Sequence, residues 1–404
     1  MRKLLNSVVL ILSLSVSFLY ACKQDKSETL PIEVDEEQEI NSFADLIEVV
    51  NLGDSADQYT LVEEFLDSLD APVIENDTTV YFIYFGEASS VQVAGDFSGW
   101  NPSGRTFEKL RDTNLWYRIE LFESNARLDY KLVINNSNWI LDPMNPNRIS
   151  GGFGSNSELA MPAYVQPTEI IEREETAKGT ISIVQVASSN TGRTYSVHVY
   201  LPASYDESSE YPVAYFQDGL EYIDLASSAT VIDNLIHDEL IRPLIGVFVV
   251  PNDRNTEYAL GDRFKYTDFL VEELVPYIDE NFATIEDAAE RAVIGDSYGG
   301  NISAIIAFQN PDVFGNCGIH SGAFQNYNFH TNGIVMDDEL KPIRVASIWG
   351  TYEGGSLPAN MRGVRDYLIE TGYDITWKEL PEGHSWGLWR ATIDDMLTLF
   401  FPTD

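Results

Sequence analysis

Cysteine is nearly absent from this 404-residue chain, which has only Cys22 and Cys317. A disulfide scaffold is therefore ruled out, and the folded parts must be held by their own cores. At 44% hydrophobic residues the chain has the material to build them. Basic residues are scarce as well: 25 Lys and Arg face 64 Asp and Glu, a formal net charge of −39. That balance makes nucleic acid a poor partner and an anionic membrane surface unattractive. There is no glycine-rich phosphate loop and no His/Cys/Asp cluster at ligand spacing, so neither a metal nor an organic cofactor is expected. Histidine occurs five times, few enough to be weighed one by one. Long apolar runs are confined to one place, the largely apolar stretch from Leu4 to Tyr20.

That stretch follows Arg2 and Lys3 and closes on Leu19-Tyr20-Ala21-Cys22. It is short, ends at a small residue and gives way to polar sequence, the pattern of a cleaved leader. Leu-x-Ala-Cys resembles a bacterial lipoprotein cleavage box, which implies residues 1–21 as signal peptide and lipidation at Cys22. A plain secretory signal is the alternative. The expectation is an exported chain, lipid-anchored to a bacterial membrane on the periplasmic side or at the cell surface, with no other membrane contact.

Residues 22–78 read as an acidic tether that carries short helices. Between Phe43 and Leu69, apolar residues recur at helical spacing (Leu46, Val49, Val50, then Leu61, Phe65, Leu69). Residues 79–165 change to short strands, Val80–Phe85, Val91–Ala94, Trp116–Leu121 and Tyr130–Ile134, separated by Gly, Asn, Asp and Pro, as in a small β-sandwich. From residue 166 to 404, eight strand candidates begin as a meander and then alternate with helices. They are Ile181–Val186, Tyr195–Leu201, Val213–Gln217, Leu244–Val250, Ala292–Ile294, Cys317–His320, Ile343–Trp349 and Ile375–Leu380. The fold class is α/β: an α/β-hydrolase sheet preceded by the β-sandwich.

The most informative motif is Gly295-Asp296-Ser297-Tyr298-Gly299, set between an apolar strand and a helix-compatible run. Glycines flank a turn that lifts the Ser297 hydroxyl above the end of a sheet, because side chains there would strike the neighbouring strand and helix. A serine hydroxyl needs a base, and the chain order Ser, acid, His selects His384, with His320 as the fallback. His198, inside a strand, reads as structural; His237 and His330 read as surface residues. The acid should follow the strand Ile343–Trp349, which points to Glu353. Asp337 and Asp338 lie at the wrong end of that strand, Asp366 falls on the next helix, and Glu382 neighbours His384 in sequence. The backbone N–H of Tyr298 and that of Gly219 or Leu220, after the third strand, are the oxyanion-hole candidates.

Together with Tyr211-Pro212-Val213, Gln217-Asp218-Gly219, Pro311 to Gly315 and Gly383-His384, these residues resemble the esterase D-like branch of α/β hydrolases. That branch holds enterochelin esterases and feruloyl or acetyl-xylan carbohydrate esterases. The resemblance implies an acyl-enzyme mechanism with Ser297, Glu353 and His384. It differs from many relatives in Glu353 for Asp and in Asp218 for His before the glycine. Asp218 and Arg254 are candidate substrate-binding residues, Arg254 toward an anionic group, with a structural ion pair as the alternative. Tyr298, Trp386 and Trp389 are candidates for an aromatic acyl pocket, with core packing as the alternative. The β-region, through Gly95-Asp96-Phe97-Ser98-Gly99-Trp100 and Trp139-Ile140-Leu141-Asp142-Pro143, resembles a glycogen-binding-type E-set module. In sugar-binding members the positions matching Trp100, Lys131 and Trp139 form the platform; core packing is again the alternative.

The expectation is a serine esterase acting on carbohydrate-linked feruloyl or acetyl esters. A siderophore esterase is the alternative, and the charge of −39 would repel so anionic a substrate. A non-catalytic glycan-binding surface lipoprotein and a peptidase on the same scaffold are the readings from other classes.

Overall fold

A computed structural model describes residues 40–403, apart from 54–57, 68, 70, 326–327 and 338. The leader, Cys22 and the first part of the tether lie outside the described residues, as does Asp338. No helix among the described residues is long and apolar enough to cross a membrane. The chain divides into two compact units, and not by a single cut. One holds the residues up to Val93, Pro102–Phe122 and Leu132–Pro146. The other holds Ala94–Asn101, Glu123–Lys131 and Asn147 onward.

In the first unit, Val73–Glu75, Thr79–Phe85, Leu115–Leu121 and Glu108–Lys109 form a four-stranded antiparallel sheet. The helical spacing read between Phe43 and Leu69 is realised as two helices, Phe43–Leu52 and Gln58–Leu66. Ser42 caps the first by accepting from the Asp45 N–H at 3.0 Å. Phe43, Leu46, Val50, Leu61, Val62 and Phe65 bury their apolar face against Tyr81, Ile83 and Leu115 of the sheet and against Leu110 beside it. Sequence periodicity indicated the helices but not this partner.

In the second unit an eight-stranded sheet carries the strands expected from the sequence: β1 (Thr180–Ala187), β2 (Thr194–Leu201), β3 (Val213–Phe216), β4 (Ile245–Val249), β5 (Arg291–Asp296), β6 (Asn316–His320), β7 (Arg344–Gly350) and β8 (Asp374–Leu380). Their order is β1-β2-β4-β3-β5-β6-β7-β8. β1, β2 and β4 pair antiparallel, and every pairing from β4 across to β8 is parallel. This is the α/β-hydrolase sheet. β3, β4 and β5 are buried along their whole length, and β3, β4 and residues 292–295 of β5 read as apolar runs, as strands covered on both faces do. One core lies on each face: Val213, Tyr215, Val293, Ile302 and Phe308 among others on one, and Ala214, Phe216, Ile294, Trp389 and Met396 on the other. Between β4 and β5 helical segments run over Arg263–Asp268 and Val275–Asn281, joined by a π-helical stretch over Phe269–Leu274.

The parallel strands all run the same way, so the segments leaving β3, β5, β7 and β8 emerge at one edge. That is where an open α/β sheet presents its chemistry.

Candidate active site

Ser297 stands between β5 and the helix Tyr298–Gln309, at φ 53° and ψ −113°. A non-glycine residue is rarely found there, and the surrounding glycines make the turn possible. A Cβ on Gly295 would lie 2.4 Å from the Gly299 backbone, so strand and helix meet with no room between them. The Ser297 N–H donates to the His320 carbonyl at 2.9 Å, tying the turn to the end of β6.

The loop after β8 brings His384 over this turn. Its Nε2 is 2.9 Å from Ser297 Oγ, and its Nδ1 is 2.8 Å from Glu353 Oε2. The side chain of Glu353 is fully buried, three residues beyond β7. Its second oxygen, Oε1, accepts from the Gly350 N–H at 2.7 Å and from Ser321 Oγ at 2.5 Å. Ser321 in turn accepts from Trp389 Nε1 at 2.9 Å, and the Trp389 ring meets the His384 imidazole edge-on at 5.1 Å. A carboxylate fixed by three donors has one orientation, which holds the imidazole with Nδ1–H toward Glu353 and Nε2 toward the hydroxyl. The sequence reading missed Ser321. Its one signal was the Ser321-Gly322 pair just after β6.

His320, the fallback base, is elsewhere. It is fully buried, with Nδ1 3.0 Å from the Tyr222 hydroxyl and Nε2 3.1 Å from Thr392 Oγ1, and neither nitrogen faces Ser297. Burial pulls its pKa down to about 3. A base whose folded pKa is depressed contributes stability above its unfolded value near 6.5, and that contribution is lost as pH falls toward 3. Between pH 7 and pH 5 His320 alone should cost the fold about 2 kcal/mol. Urea unfolding of His320→Gln is expected to show a flatter acid limb than wild type by about that amount. Parallel limbs would mean that the imidazole is not held neutral.

The other acid candidates also sit apart. Asp337 pairs with Lys341, and Asp366 is exposed beside Arg365. Glu382 is buried, with its carboxyl pushed up to about 7 by burial. His237 closes a helix and His330 opens one.

The turn after β3 places Asp218 at φ 55°, ahead of the helix Gly219–Asp224. A Cβ on Gly219 would lie 2.4 Å from the Phe248 backbone, so this turn is pressed against β4. Gly219, Leu220 and Tyr298 each open a helix, and N–H groups there have no acceptor within their own helix. They are the donors available for an oxyanion.

Arg254 spends its fork on Asp218: Nε donates to Oδ1 at 2.7 Å and Nη2 to Oδ2 at 2.6 Å. Of the two readings for Arg254, the ion pair is the one the geometry gives. The guanidinium also lies 5.5 Å from the Tyr298 ring centre and 3.6 Å from Asp296 Oδ2. Burial, then the neighbouring Asp218, raises the Asp296 carboxyl well above the usual range. Asp296, the second residue of the nucleophile motif, thus belongs to a buried pair of acids sharing one arginine. The sequence reading gave it no role.

Trp386 and Trp389 pack on each other, and Trp386 meets Tyr222 edge-on, so packing in the core describes both. Of the proposed sugar platform, Trp100 donates from Nε1 to Asp96 at 3.1 Å, Lys131 is half-buried, and Trp139 is exposed.

The fold and this hydrogen-bonded row are those of an α/β-hydrolase domain. Residues 188–380 match the Esterase family model, described as "Putative esterase". The chain is 31% identical over 245 residues to an endo-1,4-beta-xylanase/feruloyl esterase of Xylanibacter ruminicola, covering 57% of this chain and 32% of that protein. It therefore spans about a third of that relative's length. Among solved structures it is similar to the ferric enterobactin esterase of Salmonella typhimurium, with TM-score 0.70 and 19% identity over 84% of this chain and 98% of that one. A ferulic acid esterase aligns with TM-score 0.50 and 17% identity over 55% of this chain and 98% of that one. These structural likenesses are likenesses of fold.

Proposed function

We propose that this chain is an exported serine esterase, lipid-anchored through Cys22, that hydrolyses carbohydrate-linked feruloyl or acetyl esters by way of an acyl-enzyme at Ser297. The observation that carries the reading is the row Ser297 Oγ–His384 Nε2–Glu353 at 2.9 and 2.8 Å.

In the first half-reaction His384 Nε2 takes the Ser297 proton as Oγ attacks the ester carbonyl. The carbonyl oxygen becomes an anion held by the N–H of Tyr298 and that of Gly219 or Leu220. Glu353 stabilises the imidazolium, which then gives its proton to the leaving alcohol. In the second half-reaction a water repeats the sequence in reverse roles and frees the acid.

The substrate class is supported by the xylanase/feruloyl esterase relative and by charge. Arg254 is neutralised by Asp218 at the site, and the whole chain carries −39. An uncharged ester suits that field better than a polyanionic siderophore. Enterobactin hydrolysis is the second reading, favoured by the likeness to an enterobactin esterase over most of the chain. The test is a comparison of kcat/KM on methyl ferulate, acetylated xylan and enterobactin. One of the first two should be the best substrate, and a fluorophosphonate should add its mass at Ser297. A preference for enterobactin would move the assignment to the siderophore reading; no labelling would remove the nucleophile.

A further inference from the structure

The loop that carries His384 does not rest on the hydrolase sheet alone. On one side it is held by the end of β7: the Tyr352 N–H donates to the Glu382 carbonyl at 3.0 Å, and a Cβ on Gly350 would lie 2.1 Å from that oxygen. On the other side it meets two residues from segments far earlier in the chain. The Arg127 N–H donates to the Pro381 carbonyl at 3.1 Å, and Arg127 Nη1 is 3.2 Å from Ser385 Oγ. A Cβ on Gly387 would come within 2.0 Å of the same guanidinium, and a Cβ on Gly383 within 2.0 Å of Asp96 Cγ. The residue just before the histidine is pressed on Asp96, and the residues just after it on Arg127.

Both supports are themselves held. Arg127 is fully buried, donating from Nε to Glu158 at 2.7 Å and pairing with Asp129 at 2.7 Å. Asp96 Oδ2 accepts from the Asp129 N–H at 2.7 Å, and its Oδ1 accepts from the Trp100 indole. Four carboxyls (Asp96, Asp129, Glu158 and Glu382) face Arg127 and Arg390 here. Burial and neighbouring acids push Asp96 and Glu382 up to about 7. A buried ion cluster of this kind stabilises a fold less than apolar side chains of the same volume would. Its merit is geometric, since each charge can sit in only one place without losing a partner.

We propose that Arg127 and Asp96 are positioning residues for the base, fixing the His384 loop at proton-transfer distance from Ser297. The segments Ala94–Asn101 and Glu123–Lys131 are then part of the catalytic unit. The Gly95-Asp96-Phe97-Ser98-Gly99-Trp100 stretch, which resembles a glycan-binding motif, serves the histidine. The inference rests on the serine-esterase reading above.

The test uses the full chain on p-nitrophenyl acetate and methyl ferulate, with Ser297→Ala as the blank. Arg127→Lys keeps the charge but loses the fork, and Ser385→Ala removes only the hydroxyl that the fork meets. Displacement of the base by about 1 Å should cost Arg127→Lys about a hundredfold in kcat. Ser385→Ala should lose about tenfold, with KM within about twofold of wild type in both. Gly383→Ala should lose kcat too, and Asp96→Gly in the same chain should recover part of the loss by opening the space. Should Arg127→Lys fail to fold, Ser385→Ala and the Gly383–Asp96 pair decide the matter. Folded variants with wild-type kcat, or no rescue in the double variant, overturn the inference while leaving the esterase reading intact. A wild type no faster than Ser297→Ala overturns both.

Discussion

Ser297→Ala is expected to lower kcat on methyl ferulate by about 10⁶-fold, to the level left by the oxyanion donors and binding alone. KM should stay near its wild-type value, because the hydroxyl forms its new bond only as the reaction proceeds. The size of the effect follows from the geometry: Ser297 Oγ is the atom within hydrogen-bond reach of His384 Nε2, at 2.9 Å. Nor is folding at risk. The turn is made by the backbone, with the Ser297 N–H on the His320 carbonyl and the Ala323 N–H on the Ser297 carbonyl, both at 2.9 Å. Alanine keeps both bonds. Matching circular dichroism and melting temperature with kcat lost is the expected pair of results. A variant hydrolysing at more than about a hundredth of the wild-type rate would place the nucleophile elsewhere.

Glu353→Gln is expected to lower kcat by about 10⁴-fold. The amide is nearly isosteric, but it offers an NH₂ where the carboxylate offers oxygens on both sides. Oε1 accepts from the Gly350 N–H and Ser321 Oγ, and Oε2 faces His384 Nδ1. A glutamine that keeps its carbonyl toward Gly350 turns its NH₂ toward Nδ1. The imidazole must then carry its proton on Nε2, where it cannot take the serine proton. The alternative flip sets NH₂ against the Gly350 N–H and leaves two buried donors facing each other. Glu353→Asp should retain more activity than Glu353→Gln, because it keeps the charge while shortening the reach. The measurement is kcat for the three chains on one ester, with unfolding midpoints to show that each is native. Equal rates for Glu353→Gln and wild type would assign the orienting acid to another residue.

Much of this site was legible from the chain alone. The Ser297 turn is a local object: a strand of apolar residues, a glycine on each side of the serine, and a helix behind. Sterics within a few residues dictate all of it. His384 followed from chain order and a short list of histidines, and Glu353 from being the first acid beyond β7. The central strands were visible because buried parallel strands are apolar runs.

Other features left no such mark. Arg254 read equally as an anion clamp and as an ion pair until Asp218 was found across its fork. Trp386 read as pocket or core. Ser321 and Trp389 gained their roles through a relay to Glu353 that no spacing announces.

What the sequence determined by itself was the fold class, the place of the Ser297 hydroxyl and its hydrogen-bond partners, because short-range sterics and hydrophobic period are written in neighbouring residues. Tertiary structure alone decided which charges meet. Arg127 and Ser385 are 258 positions apart, and a polar contact over that span has no period and no local steric trace. It exists only when folding removes water from both groups and brings them within hydrogen-bond reach.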